Sequence, residues 1–108
     1  MITIEEGKLL ALNHLHEIEK KSNVELALLE AETIAFKYGW VFFYQSKEFV
    51  LTGNMDFLVG GNAPIIVDKY NKAVYLTGTG NDISYYIQKY SDERSGSVSN
   101  GSVSDYFF

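Results

Sequence analysis

The sequence predicts an α+β fold: an N-terminal amphipathic helix packed on an antiparallel sheet of about four strands, a short C-terminal helix and a flexible tail. Three observations predict it. An apolar stripe with helical spacing runs through the first twenty residues. The middle of the chain alternates apolar and polar residues between clusters of Gly, Asn and Asp. The helical stretches lie at the two ends of the strand region instead of between strands, so no parallel crossover is implied. The 108 residues suffice for one domain, placed at residues 1–90, with residues 91–108 as the tail.

Residues 3–20 read as one helix. Thr3 followed by Glu6 is a capping box, and at 100° per residue Ile4, Ala11, Leu15 and Ile18 share a stripe, with Gly7 beside it and Leu12 on its flank. Ser22 and Asn23 end the helix. Residues 24–29 alternate as a strand and 31–33 form a turn. Ile34, Phe36 and Tyr38 then alternate again, Gly39 interrupts in the manner of a β-bulge, and residues 40–44 follow as an unbroken apolar run. A run apolar on both parities is a central strand covered on both faces. Segregated helices on one face of the sheet would bury the Ile4–Ile18 stripe, and the second face then needs cover from the chain or from a partner.

Residues 45–61 form a long connection holding Thr52-Gly53-Asn54 and Gly60-Gly61-Asn62, both turn signals. A connection of this length in a small domain is functional or carries short structure of its own. Pro64 opens a strand at 65–67, residues 68–72 turn with Asn71 as the left-handed residue, and residues 73–76 return. Asn81 or Asp82 caps a last helix in which Ile83, Tyr86, Ile87 and Tyr90 share a face. Beyond Tyr90 the pentapeptide Gly96-Ser97-Val98-Ser99-Asn100 recurs almost unchanged as Gly101-Ser102-Val103-Ser104-Asp105, a composition expected of a flexible tail.

Composition narrows the function. The chain has no Cys, which excludes a disulfide scaffold, a thiolate metal site and a Cys nucleophile. A formal charge of −5 argues against nucleic acid as the partner, since phosphate binding needs a basic patch. Residues 92–94 and 105 contribute part of that excess, and residues 1–90 alone carry −3. The N-terminus is acidic where a signal peptide needs base, and no stretch approaches about 20 apolar residues, so the expectation is a cytoplasmic protein without a membrane span.

Chemistry is sparse. His14 and His16 stand two positions apart on a helix, about 200° around it, and cannot share one metal ion. No Ser sits in a G-x-S-x-G elbow, and Gly78-Thr79-Gly80 lacks both the spacing and the Lys of a P-loop. No catalytic residue, metal ligand or cofactor site is expected, and the chain reads as a non-enzyme.

The residues Gly39-Trp40-Val41-Phe42-Phe43-Tyr44-Gln45-Ser46, then Gly60-Gly61-Asn62-Ala63-Pro64-Ile65-Ile66-Val67-Asp68-Lys69, then Leu76-Thr77-Gly78-Thr79, and finally Tyr86, Ile87 and Tyr90, resemble in order and spacing the immunity protein 35 family, also called the YrhB domain. The resemblance covers most of residues 3–90. It implies a small bacterial α+β protein, commonly encoded beside a polymorphic toxin, that binds and neutralises the cognate toxin domain. Where family members often carry Pro-Leu-Glu at the start of the last helix, this chain has Asp82-Ile83-Ser84.

The shared residues also have a physical reading. Gly39 fits a bulge that re-aims Trp40; Trp40, Phe42 and Phe43 supply buried area; the Asn62 side chain can bond to backbone near Pro64; and Gly78, beside Thr79, permits a positive φ. These roles, like that of Gly61, keep the fold. Cognate specificity needs other surface. Candidate partner contacts are Glu48, Phe49, Asn54, Asp56 and Phe57 in the long connection and the acidic edge Glu25, Glu30 and Glu32, suited to a basic partner. A general chaperone-like module without a single cognate toxin is the alternative, and a homodimer is compatible with the sequence.

Overall fold

A computed structural model describes residues 1–60 and 62–96 of the chain. Gly61 and residues 97–108 of the expected tail lie outside the described residues. The helices are α1 (Ile4–Ser22), α2 (Lys47–Thr52) and α3 (Ile83–Ser95). The strands are β1 (Leu26–Leu28), β2 (Ile34–Phe36), β3 (Gly39–Phe42), β4 (Tyr44–Ser46), β5 (Ile65–Asp68) and β6 (Val74–Leu76). The α+β class and the four-stranded antiparallel sheet are as the sequence predicts. That sheet has the order β2-β3-β5-β6, and β1 pairs with β4 in a separate two-stranded ribbon.

The capping box sets the start of α1. The Thr3 hydroxyl oxygen accepts the Glu6 N–H at 3.2 Å, and the Glu6 carboxylate accepts the Thr3 N–H at 3.1 Å. Asn23, left-handed with φ 57°, ends the helix. Gly7, Ala11 and Leu15 form its buried line. A Cβ on Gly7 would stand 2.7 Å from Cε3 and Cζ3 of Trp40, so only glycine lets the helix rest on the indole.

Gly39 does not form the expected bulge. It pairs with Phe36, and Lys37 and Tyr38 make a two-residue hairpin turn between β2 and β3. Glycine is needed there for a different reason: a Cβ would overlap the carbonyl oxygen of Val67 on β5. The apolar run 40–44 is also not one strand. The chain changes sheets at Phe43, leaving β3 inside the four-stranded sheet and β4 in the ribbon.

β3 is central and fully buried, because alternate side chains meet different covers. Trp40 and Phe42, with Ile65 and Val67 of β5, pack against Ala11 and Leu15 of α1 and the leucines of β1. Val41 and Ile66 pack against Tyr86 and Tyr90 of α3, with Ile83, Ile87, Phe36 and the half-buried Phe43 around them. The helices therefore cover opposite faces of the sheet, not one face. The second face of the aromatic strand is met by the chain's own last helix.

Four further expectations are corrected. In the β5–β6 turn the left-handed residue is Lys72 (φ 64°), not Asn71, whose side-chain oxygen instead accepts the Ala73 N–H at 2.8 Å. Gly78 is not among the residues with positive φ; those glycines are Gly53 and Gly96 among the described residues. Asn62 bonds away from Pro64, its amide donating to the carbonyls of Val59 (3.1 Å) and Tyr44 (3.4 Å). Pro64 precedes β5, and its carbonyl accepts the Thr77 N–H. The last helix continues to Ser95, so residues 91–95, placed in the tail on composition, are helical. The reason is Arg94, which reaches back to Asp68.

Candidate functional site

The strongest cluster of titratable groups is internal. Asp68, with no exposed surface, accepts the Tyr90 hydroxyl at 2.6 Å, Arg94 Nε at 2.6 Å, and the N–H groups of Tyr70 (2.8 Å) and Asn71 (3.2 Å). Burial alone would push its carboxyl up; the bonds from Arg94, Tyr90 and the two backbone groups together outweigh it and hold the group below its ordinary value. Arg94 also lies over the Tyr38 ring at 4.8 Å. With every Asp68 oxygen engaged and no open space before it, the cluster locks α3 to β5 and offers no reactive group. His14 is half-buried, and burial lowers its pKa; His16 is exposed. Among the described residues no group of three or more His, Cys, Asp or Glu is placed to hold a metal ion, and no helix is long and apolar enough to cross a membrane.

The long connection carries the surface features. After β4 it folds into α2, capped by the Ser46 hydroxyl oxygen accepting the Phe49 N–H at 3.1 Å, and then into a 3-10 turn (Met55–Phe57) capped by Asn54 Oδ1 accepting the Asp56 N–H at 2.9 Å. Side chains of β4 staple its return: Gln45 bonds to both the carbonyl (2.8 Å) and the N–H (2.9 Å) of Val59, and the Ser46 hydroxyl donates to the Phe57 carbonyl at 2.5 Å.

Of the sequence-predicted contacts, Glu25, Glu48, Asp56 and Phe57 come together around one groove of about 420 Å³. Glu25 also pairs with Lys47 at 3.5 Å. Glu30 pairs with Lys8 at 2.9 Å and lines a second groove, of about 570 Å³, between α1 and β1. Glu32 is exposed but lines neither groove. Phe49 is half-buried, and Asn54 serves as a cap.

Of the apolar residues between these acids, sequence reasoning singled out Phe57 and missed Val50, Leu51, Met55 and Leu58. Val50, Leu51, Met55, Phe57 and Leu58 are all large and exposed, Leu51 at 71% and Met55 at 67%. They fall within nine consecutive residues, where isolated exposed apolar side chains are ordinary but a contiguous group marks an interaction surface. The available signal was an apolar stretch, Phe49-Val50-Leu51, too short and too isolated by Gly53 and Asn54 to join a core.

Comparison with known proteins bears on what this surface serves. Residues 7–91 match the family described as Immunity protein 35. The chain belongs to the immunity protein 35 family. Over 55 residues it is 36% identical to the uncharacterized protein YrhB of Escherichia coli (strain K12). That alignment takes in 51% of this chain and 58% of the relative, so the chain spans little more than half the length of that protein. No solved structure matches.

In this immunity protein 35 domain the residues that carry the family resemblance divide into two groups. Gly39, Trp40 and Phe42 are buried in the sheet. Phe43, Asn62, Pro64, Gly78 and Thr79 gather around a third groove, of about 340 Å³, at the start of α3. Ser46, of the same motif as Gly39 and Trp40, lines the acidic groove, whereas the exposed apolar residues Val50, Leu51, Met55, Phe57 and Leu58 lie outside the residues that carry the resemblance. They occupy the α2 side of the molecule, where the chain can differ without disturbing the core.

Proposed function

We propose that this chain is an immunity protein that binds a cognate bacterial toxin domain in the cytoplasm of the producing cell and neutralises it by stoichiometric contact, without catalysis or cofactor. The observation that carries the reading is the run of exposed apolar side chains Val50, Leu51, Met55, Phe57 and Leu58, of which Phe57 and Leu58 line one groove with Glu25, Glu48 and Asp56. An apolar centre with a charged rim is the anatomy of a protein interface, and acids at the rim speed capture of a basic partner. Family membership supplies the class of partner.

Co-expression with the toxin domain encoded beside this chain's gene tests the proposal. Cells are expected to survive, and the two chains to elute together from gel filtration at equal stoichiometry. Failure of rescue with no complex overturns it. The same patch also suits a chaperone-like module. Protection of several unrelated unfolded clients, with no preference for the toxin domain, would favour that second reading.

A further inference from the structure

The β1–β4 ribbon has two edges, treated differently. Glu25 accepts the Lys47 N–H through its carbonyl at 2.9 Å, and the Leu29 N–H donates to the Phe43 carbonyl at 2.8 Å. Pairing alternates along an antiparallel ladder, so Glu25, Ala27 and Leu29 face β4 while the backbone groups of Leu26 and Leu28 face away. On the outer side of β4 two groups are covered by side chains: the Tyr44 carbonyl by Asn62 and the Ser46 N–H by Gln45 Oε1 at 2.9 Å. On the outer side of β1 the Leu26 N–H donates to the Glu19 carboxylate at 2.6 Å. The Leu26 carbonyl and both backbone groups of Leu28 meet no hydrogen-bond partner among the described residues.

An open strand edge is a template for another extended chain, and proteins normally blunt it. This one lies beside the 570 Å³ groove, between Leu12 and His16 of α1 and Val50 of α2, which joins it to the apolar patch. The charges of the groove indicate what fits. Lys8 is committed to Glu30 and Lys47 to Glu25, whereas Glu19 has no cationic partner among the described residues. A second copy of this chain would bring to the same seam another Glu19 and lysines already paired with Glu30 and Glu25.

We propose that the outer edge of β1 receives an extended segment of the toxin as a third strand of the ribbon, and that a Lys or Arg of that segment takes the Glu19 carboxylate as a strand carbonyl replaces it at the Leu26 N–H. Main-chain bonds then supply affinity, and the released Glu19 supplies selection for a basic segment. The inference rests on the reading of this chain as a toxin-binding protein.

Amide hydrogen exchange of the full chain, free and bound to the toxin domain, tests it. The Leu28 amide is expected to slow by at least roughly tenfold on binding, the equivalent of one net hydrogen bond, while Ala27 is protected in both states. A complex in which Leu28 exchanges as fast as in the free chain overturns the docking mode and leaves the function standing; no complex at all overturns both. A second comparison separates backbone from side chain. Leu28→Pro removes the outward N–H and leaves the β4 ladder intact, whereas Leu28→Ala removes only the side chain. Leu28→Pro is expected to bind at least about tenfold more weakly than Leu28→Ala, and equal affinities overturn the proposal. Glu19→Lys is expected to weaken binding more than Glu19→Gln, and equal losses overturn the basic-segment assignment.

Discussion

The Tyr90 hydroxyl donates to the Asp68 carboxylate at 2.6 Å, tying the last helix to the end of β5. Both residues are buried, and the aromatic rings of Phe36 and Tyr75 pack around the phenol at centroid distances of 6.1 and 5.4 Å. Tyr90→Phe keeps this packing and deletes one bond to a charged acceptor. It is expected to cost about 1.5–3 kcal/mol, measured by urea unfolding. Because Arg94 and two N–H groups still hold Asp68, the variant should remain folded.

Stability should fall at both ends of the pH scale. Asp68 is held below the ordinary carboxyl value of about 3.9, so its contribution is complete above that pH and is lost as pH falls through the lower folded value. Tyr90 is raised by burial and by its bond to Asp68, and Tyr44 by burial. Their contribution is complete below the ordinary phenol value of about 10 and is lost as pH rises beyond it. Midpoint denaturation across pH 2–12 should show a plateau between these limits, and Tyr90→Phe should soften the alkaline fall.

Two glycines should respond unequally to alanine. Gly7→Ala gains about 1 kcal/mol in helix propensity but drives a methyl into the Trp40 ring, an overpacking cost of about 1–3 kcal/mol, so a net loss of up to about 2 kcal/mol is expected. Gly39→Ala meets backbone, which cannot rotate aside. Its loss should be the larger of the two, visible as a lower melting temperature or failure to accumulate.

Leu51→Asp combined with Met55→Asp should change stability by no more than about 0.5 kcal/mol, since both side chains are mostly in solvent. The same pair should abolish rescue from the toxin domain. Calorimetric melting together with the co-expression assay separates a lost interface from a lost fold.

His14→Ala with His16→Ala should leave protection intact. His14 is half-buried on α1 and its imidazole is disfavoured as a cation by burial, while His16 stands exposed at the groove beside β1. Loss of protection in a variant that still binds the toxin domain would bring a chemical role back into play.

The fold was legible where local chemistry decides it. Thr3 and Glu6 announced the start of α1, the Ile4–Ile18 stripe its buried face, and Tyr86 and Tyr90 the inward line of α3. What stayed hidden depends on contacts distant in sequence. The exchange of sheets at Phe43 cannot be read from an apolar run that looks uniform. Gly39 invited a bulge because its true constraint, the Val67 carbonyl, lies 28 positions along the chain. At the candidate surface the acids Glu25, Glu48 and Asp56 were legible as charge. Of their apolar companions only Phe57 was singled out, because an exposed Leu and a buried Leu look alike until the fold assigns them a side.

The stretch Gly39–Phe42 lies at the centre of the sheet, and after Phe43 the same backbone forms β4, the inner strand of the surface ribbon. Force that crosses from β1 through its ladder to β4 is therefore carried on along covalent bonds into a strand hydrogen-bonded on both sides, β2 on one flank and β5 on the other. Tension along β3 loads two ladders in shear at once instead of peeling a hairpin open bond by bond. The molecule is built to be gripped at its ribbon without being pulled apart from it.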